Sequence, residues 1–289
     1  MLVALSHYSG SILTQAPEHN ILHQFFAAFG GYTGVAIFFF LSGYGLMMSE
    51  LRCHLQLAPF VKRRLLRVYA PVVMVSAIWG IVRWPEGGGL DHVTAFLHTA
   101  LWTFGDGILW FIRVIALLYV AFAAYACLPH NPRLRLPLLA VATAAMYAYV
   151  YVAFASWCAI SVPLFSLGIV TAEHSRTLLR FCRSAWVVVW LVAITALMAV
   201  LYARLGNLYL HTLCNYYVLT AILLAAAYLH PQLSVAPMVG SASYDLYLTH
   251  NKVLVYCTPI YGYVAFHHFF VGALILTLAS NTLRRLLHI

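Results

Sequence analysis

Ten long apolar runs, separated by short loops that hold most of the charge, fix what this chain can become. They fall near residues 1–14, 32–50, 68–83, 108–128, 137–155, 157–172, 184–203, 209–230, 240–260 and 262–282. Most approach the roughly 20 residues that a helix needs to cross a bilayer. Inside lipid every backbone N–H and C=O must be satisfied within the segment or its neighbours, which leaves helices and closed barrels. The apolar residues run on without the strict alternation of a barrel strand, and this selects helices. Hydrophobic residues make up 64% of the 289 and charged residues 8%, against about half and a quarter in a soluble domain. The surplus exceeds what a soluble core can hold and must face lipid. The expected fold class is therefore all-α: a polytopic membrane helix bundle of about ten transmembrane helices, forming a single domain over 1–289.

Loop charge sets the orientation. An eleventh, shorter run at 93–104 has 12 residues and is better read as re-entrant or interfacial than as a span. With the N-terminus cytoplasmic, the inner loops then hold Arg52, Lys62, Arg63, Arg64, Arg67, Arg133, Arg135, Arg176, Arg180, Arg183, Arg284 and Arg285. The outer loops hold Glu18, Glu86, Asp91 and Asp106 against Arg83 and Arg204. That asymmetry obeys the positive-inside rule. It would break at Arg133 and Arg135 if 93–104 spanned. Both termini are expected in the cytoplasm, with the membrane crossed many times.

Several function classes fall away. The net charge of +9 lies in short loops between spans, which points to anionic lipid headgroups and phosphorylated substrates rather than nucleic acid. Cys53, Cys127, Cys158, Cys182, Cys214 and Cys257 form no CxxC and read as small apolar fillers. No HExxH motif or glycine-rich phosphate loop occurs, and the neighbours His267 and His268 point to different sides of a helix, so no metal is expected.

Ionisable groups within apolar spans are costly and are functional candidates by default. His7, in Leu5-Ser6-His7-Tyr8, is placed to take and return a proton near neutral pH; the bland alternative is a packed histidine bonded to a carbonyl. Arg64 and Arg67, three apart, share a helix face and offer paired guanidinium groups to phosphate; the alternative is topological charge. Gly34, Ser42 and Gly43 allow close helix approach. The ninth span carries Ser241, Ser243, Tyr244, Asp245, Tyr247, His250, Asn251 and Lys252. The Tyr247–His250 and Asp245–Lys252 spacings put each pair near one face, pointing into the bundle, either as site lining or as structural bonds. Asp106, Trp110 and Arg113 read as an interfacial cluster with a snorkelling arginine.

Taken in order, these stretches resemble the acyltransferase 3 family of membrane proteins. The resemblance rests on His7, Gly34-Val35, Phe38-Phe39, Leu41-Ser42-Gly43, Phe60 and Arg64-x-x-Arg67 with a proline close behind. It continues through Leu109-Trp110-Phe111, Tyr119, Pro163-Leu164-Phe165, Gly168, Ser243-Tyr244, Tyr247-Leu248 and His250. The polar residue and arginine that precede the first helix in that family are missing, so the first helix is expected to be cut short at its N-terminus. The proline after Arg67 is also spaced slightly differently from the common form.

The resemblance implies an O-acyltransferase that moves an acyl group, usually acetyl, from acyl-CoA to a hydroxyl of a sugar, cell-surface polysaccharide or lipid-linked glycan. It implies that His7 is the catalytic histidine and that Arg64 and Arg67 bind coenzyme A phosphates. Ser42, Tyr244, Tyr247 and His250 are expected to line the site or to orient His7. Acyl-CoA (acetyl-CoA first), the glycan acceptor and membrane lipids are the expected partners. A transporter or flippase using Asp245, His250 and Lys252, or an inactive member of the family, are the competing readings.

Overall fold

A computed structural model describes residues 2–15, 21–53, 56–83, 110–129, 131–154, 156–175, 184–205, 216, 243–254 and 266–286. The described residues are helical, with no strand among them. The helices are α1 Leu2–Gln15, α2 Ile21–Phe25, a π-helical turn Phe26–Gly30, α3 Gly31–Arg52 and α4 Leu57–Arg83. They continue as α5 Trp110–Ala126, α6 Pro132–Ala153, α7 Ser156–Ala159, α8 Val162–Glu173 and α9 Ala185–Leu205, then α10 over 243–254 and α11 Phe266–Leu286. Three of the described helical stretches, Leu22–Arg52, Arg133–Ala153 and Ser156–Glu173, are long and apolar enough to cross a membrane. The runs at 93–104 and, apart from Tyr216, 209–230 lie outside the described residues, as does Asp106.

The chain divides into two compact units: Met1–Gly31, Gln56–Ala123 and Ser234–Ile289 in the first, Tyr32–Leu55 and Ala124–Leu233 in the second. In the first unit, α1 presents Ala4, Tyr8 and Ile12 at four-residue spacing. This stripe joins Val253 and Leu254 of α10 and Phe269 and Ala273 of α11 in one buried cluster. Tyr8 stacks on Phe269 with centroids 5.1 Å apart. Two further bonds hold α1 to the segment after it: Ser6 Oγ donates to the Ala27 carbonyl at 3.4 Å, and Ser9 Oγ lies 3.1 Å from His23 Nδ1.

In the second unit, glycine does the work expected of it. A Cβ on Gly43 of α3 would collide with the Phe165 carbonyl of α8, and one on Gly168 would collide with the Phe40 carbonyl and the Tyr44 amide. The two backbones are in contact at two points, which only small residues permit. Around that seam Ala36, Phe40 and Leu164 form a buried cluster.

Two of the charged stretches between apolar runs are helical. Lys62, Arg63, Arg64 and Arg67 lie within α4, which begins at Leu57, so Arg64 and Arg67 share a helix face as their spacing predicts. Helix α6 begins at Pro132, behind an Asn131 cap whose side chain accepts from the Arg133 amide at 3.1 Å. Pro132 suits that first position because its missing N–H would have had no partner. Arg135 is therefore helical as well. It is buried and ion-paired to Glu173 Oε1 at 3.2 Å, its guanidinium over the Tyr125 ring at 4.6 Å, while Tyr125 donates to the same carboxylate at 3.0 Å. Arg135 ties α5, α6 and α8 together instead of serving only as a topological charge. Cys53 and Cys127 are exposed rather than apolar fillers, whereas Cys158 is buried.

Candidate active site

The first unit brings together two histidines from opposite ends of the sequence. His7 Nδ1 of α1 lies 2.9 Å from His250 Nε2 of α10, with ring centroids 5.0 Å apart. His250 Nδ1 is 3.0 Å from the Leu246 carbonyl. A carbonyl only accepts, so His250 Nδ1 carries the proton in that bond. With both rings neutral, His250 Nε2 then holds a lone pair and accepts from His7 Nδ1–H. The protons are thereby assigned along the chain, and His7 Nε2 is left with a free lone pair. His250 is fully buried, whereas His7 keeps part of its surface accessible. The accessible ring is the one with the free basic nitrogen.

The orientation of His250 is held from several sides. Tyr247, one turn earlier, packs on it with centroids 5.8 Å apart and in turn meets Phe111 of α5 at 4.9 Å. Thr277 donates to the Ala273 carbonyl of its own helix at 2.7 Å, and its oxygen lies 3.1 Å from Thr249 Oγ1, which is also 3.0 Å from the Asp245 carbonyl. Ser280 donates to the fully buried Asp245 carboxylate at 3.2 Å. These bonds stitch α10 to α11 on the side away from α5. The buried polar load of the ninth span is thus satisfied between helices, as lipid requires.

A second set of contacts fixes the register of α4 against α5. Phe60 meets Phe122 with centroids 5.9 Å apart, and Arg64 and Tyr69 lie within electrostatic range of Tyr119 and Arg113 respectively. The residue numbers of each pair sum to nearly the same value, the signature of two antiparallel helices. On this register Phe111 stands level with Pro71. Pro71 removes the hydrogen bond to the Arg67 carbonyl, and beside that gap the Tyr244 hydroxyl donates to the Val68 carbonyl at 2.7 Å. Helix α10 therefore runs parallel to α4, with Tyr244 at Val68 and Tyr247 at Phe111. Along the helix axes the order is Arg64 and Arg67, then Tyr69 with Arg113, then Phe111 with Tyr247, then the histidine pair.

The arginines begin that series. Arg64 is half-buried, its guanidinium 5.7 Å from the Phe60 ring centroid, while Arg63 and Arg67 are exposed. Burial lowers the Arg64 pKa from its ordinary value, against the opposing influence of Tyr119 and with added repulsion from Arg67 and Arg63. Arginine stays charged under such shifts, so this is a cation that gains from an anionic ligand.

Of the residues singled out from sequence, His7, His250 and Tyr247 meet directly, and Tyr244 braces the helix that carries two of them. Ser42 belongs to the second unit, on α3 beside the Gly43 seam. Phe111 as the platform for Tyr247, and the Asp245–Ser280 and Thr249–Thr277 bonds, were not legible as parts of the site. Among the described residues no cluster of three His, Cys, Asp or Glu side chains is placed to hold a metal.

The structure thus defines a helical protein with three stretches long and apolar enough to cross a membrane and with a paired histidine in its first unit. The profile of the acyltransferase domain family matches residues 1–283. The chain belongs to the acyltransferase 3 family and is an acyltransferase. No curated protein and no solved structure matches it.

Proposed function

We propose that this protein is a multi-pass inner-membrane O-acyltransferase that moves an acyl group, acetyl in the simplest case, from acyl-CoA to a hydroxyl of a sugar, surface polysaccharide or lipid-linked glycan. The observation that carries the reading is the bond between His7 and His250, which leaves His7 Nε2 as an accessible base in an apolar setting. His7 Nε2 takes the proton of the acceptor hydroxyl while that oxygen attacks the thioester carbonyl. The carbon–sulfur bond then breaks, the thiolate takes the proton back from His7, and the products are the ester and free coenzyme A. While His7 is protonated, its Nδ1–H bond to His250 Nε2 becomes charge-assisted and stronger.

Arg64 and Arg67 bind the phosphates of the donor from the cytoplasmic side. This assignment rests on ten spans with both termini in the cytoplasm, the arrangement that loop charge favours. The axial order from arginines to histidines supports it, since a long donor with phosphates at one end and its acyl group at the other would lie along that order.

The test is thioester cleavage of acetyl-CoA by the purified protein in lipid vesicles, with and without a glycan acceptor. Acceptor-dependent release of thiol by wild type and its loss in His7→Ala would support the proposal. A folded wild type that neither binds nor cleaves the donor would sink it and favour transport or an inactive relative.

A further inference from the structure

Helix α5 carries a single charged residue, Arg113. An arginine in an apolar helix ordinarily snorkels, with its stem along apolar surface and its head in water. In Arg113 the burial extends past the stem to Nε. It is half-buried between Ile112 and Val114, and its Nε is buried and meets no acceptor among the described residues. The register against α4 sets it opposite Tyr69, five residues past Arg64, or roughly 7–8 Å further along the axis at about 1.5 Å per residue. A buried N–H without an acceptor, on a guanidinium that is otherwise partly accessible, is uncommon enough to need an explanation, and a ligand oxygen supplies one.

We infer that Arg113 is a phosphate-binding residue that holds the diphosphate of the acyl donor. The inference rests on the donor reading above and extends it. A coenzyme A thioester carries three phosphate groups, one on the ribose and two in the diphosphate beside the pantetheine arm. Arg64 and Arg67 form one pair, suited to the group that arrives at the start of α4. Arg113 lies on the way from that pair to the histidines, where the diphosphate of a donor aimed at His7 would fall. Its planar fork suits two oxygens of one phosphate.

The experiment measures equilibrium binding of coenzyme A, dephospho-coenzyme A and pantetheine to the purified protein in lipid nanodiscs. The proteins compared are wild type, Arg113→Met, Arg113→Lys and the pair Arg64→Ala/Arg67→Ala, with elution volume and melting temperature as fold controls. Arg113→Met should weaken coenzyme A and dephospho-coenzyme A by the same factor, roughly tenfold or more for a lost charge-assisted contact, and leave pantetheine unchanged. Arg113→Lys should lose less, and it carries the test if the methionine variant does not fold. The Arg64/Arg67 variant should lose most of its discrimination between coenzyme A and its dephospho form. Equal binding by wild type and both Arg113 variants overturns the inference and leaves the donor reading intact. An equal loss for pantetheine overturns it too, because shape rather than phosphate would then be read. A wild type blind to coenzyme A overturns the donor reading itself.

Discussion

His7 Nδ1 and His250 Nε2 are hydrogen-bonded at 2.9 Å across 243 residues of sequence, and the Leu246 carbonyl behind His250 decides which nitrogen of each ring holds its proton. The arrangement has the logic of a base oriented by a second group, with a neutral imidazole and a backbone carbonyl in place of a carboxylate. On the proposed mechanism His250 acts through His7, as a positioning residue.

The first prediction separates those roles. His7→Ala should lower kcat by about 10²–10⁴-fold, the usual contribution of a general base. His250→Ala should cost less, roughly tenfold to a hundredfold, with the KM for donor unchanged. His250→Gln puts an acceptor near the lost Nε2 and should recover part of that loss. A glutamine variant no better than alanine would show that His250 merely fills space.

The arginines should behave differently in kinetics. Arg64→Ala/Arg67→Ala should raise the KM for acyl-CoA, since each charge-assisted bond is worth about 1.5–3 kcal/mol, and should leave kcat near wild type. Steady-state rates over a range of donor concentrations check this. A fall in kcat at saturating donor would assign the pair to the chemical step instead.

Glycines in one helix should differ sharply. Gly43→Ala places a methyl group against the Phe165 carbonyl and should destabilise the second unit by about 1–3 kcal/mol or more. Gly45, two residues on, faces open space within 4 Å; Gly45→Ala should be neutral or stabilising by up to about 1 kcal/mol through helix propensity. Melting temperatures of the two variants in one detergent make the comparison.

The Arg135–Glu173 pair offers a stability cycle. Arg135→Met leaves the Glu173 carboxylate without its cation and should cost about 3–5 kcal/mol. Adding Glu173→Gln removes the stranded charge and should recover much of that cost. Denaturation midpoints of the two single variants and the double variant measure the coupling; additive losses would mean that the ion pair contributes little.

Much of this was legible in the sequence. Apolar run length gave the helical class and the bounds of α3 and α9 to within two residues, because lipid leaves the backbone so few options. Tyr247 and His250 were placed on one face by helical period alone. His7 and His250 were each singled out for polarity in an apolar span, but their pairing was not legible, since period relates residues on one helix and says nothing of which helices touch. Residues 57–67 carry inner-loop charge and are helical all the same, because charge marks the membrane boundary, not the end of the hydrogen-bonded helix. The place of Arg113 opposite Tyr69 was not legible, because the register of α5 against α4 is revealed only by packing.

The two halves of the histidine pair also leave the ribosome far apart in time. At about 5–20 residues per second, the 243 residues between them take roughly 12–50 seconds to make. Throughout that interval His7 has no His250 to bond, and on the mechanism proposed above a chain abandoned before α10 lacks the group that orients its base. On that mechanism the order of synthesis is a safeguard: a prematurely terminated product is silent toward acyl donor rather than wasteful of it.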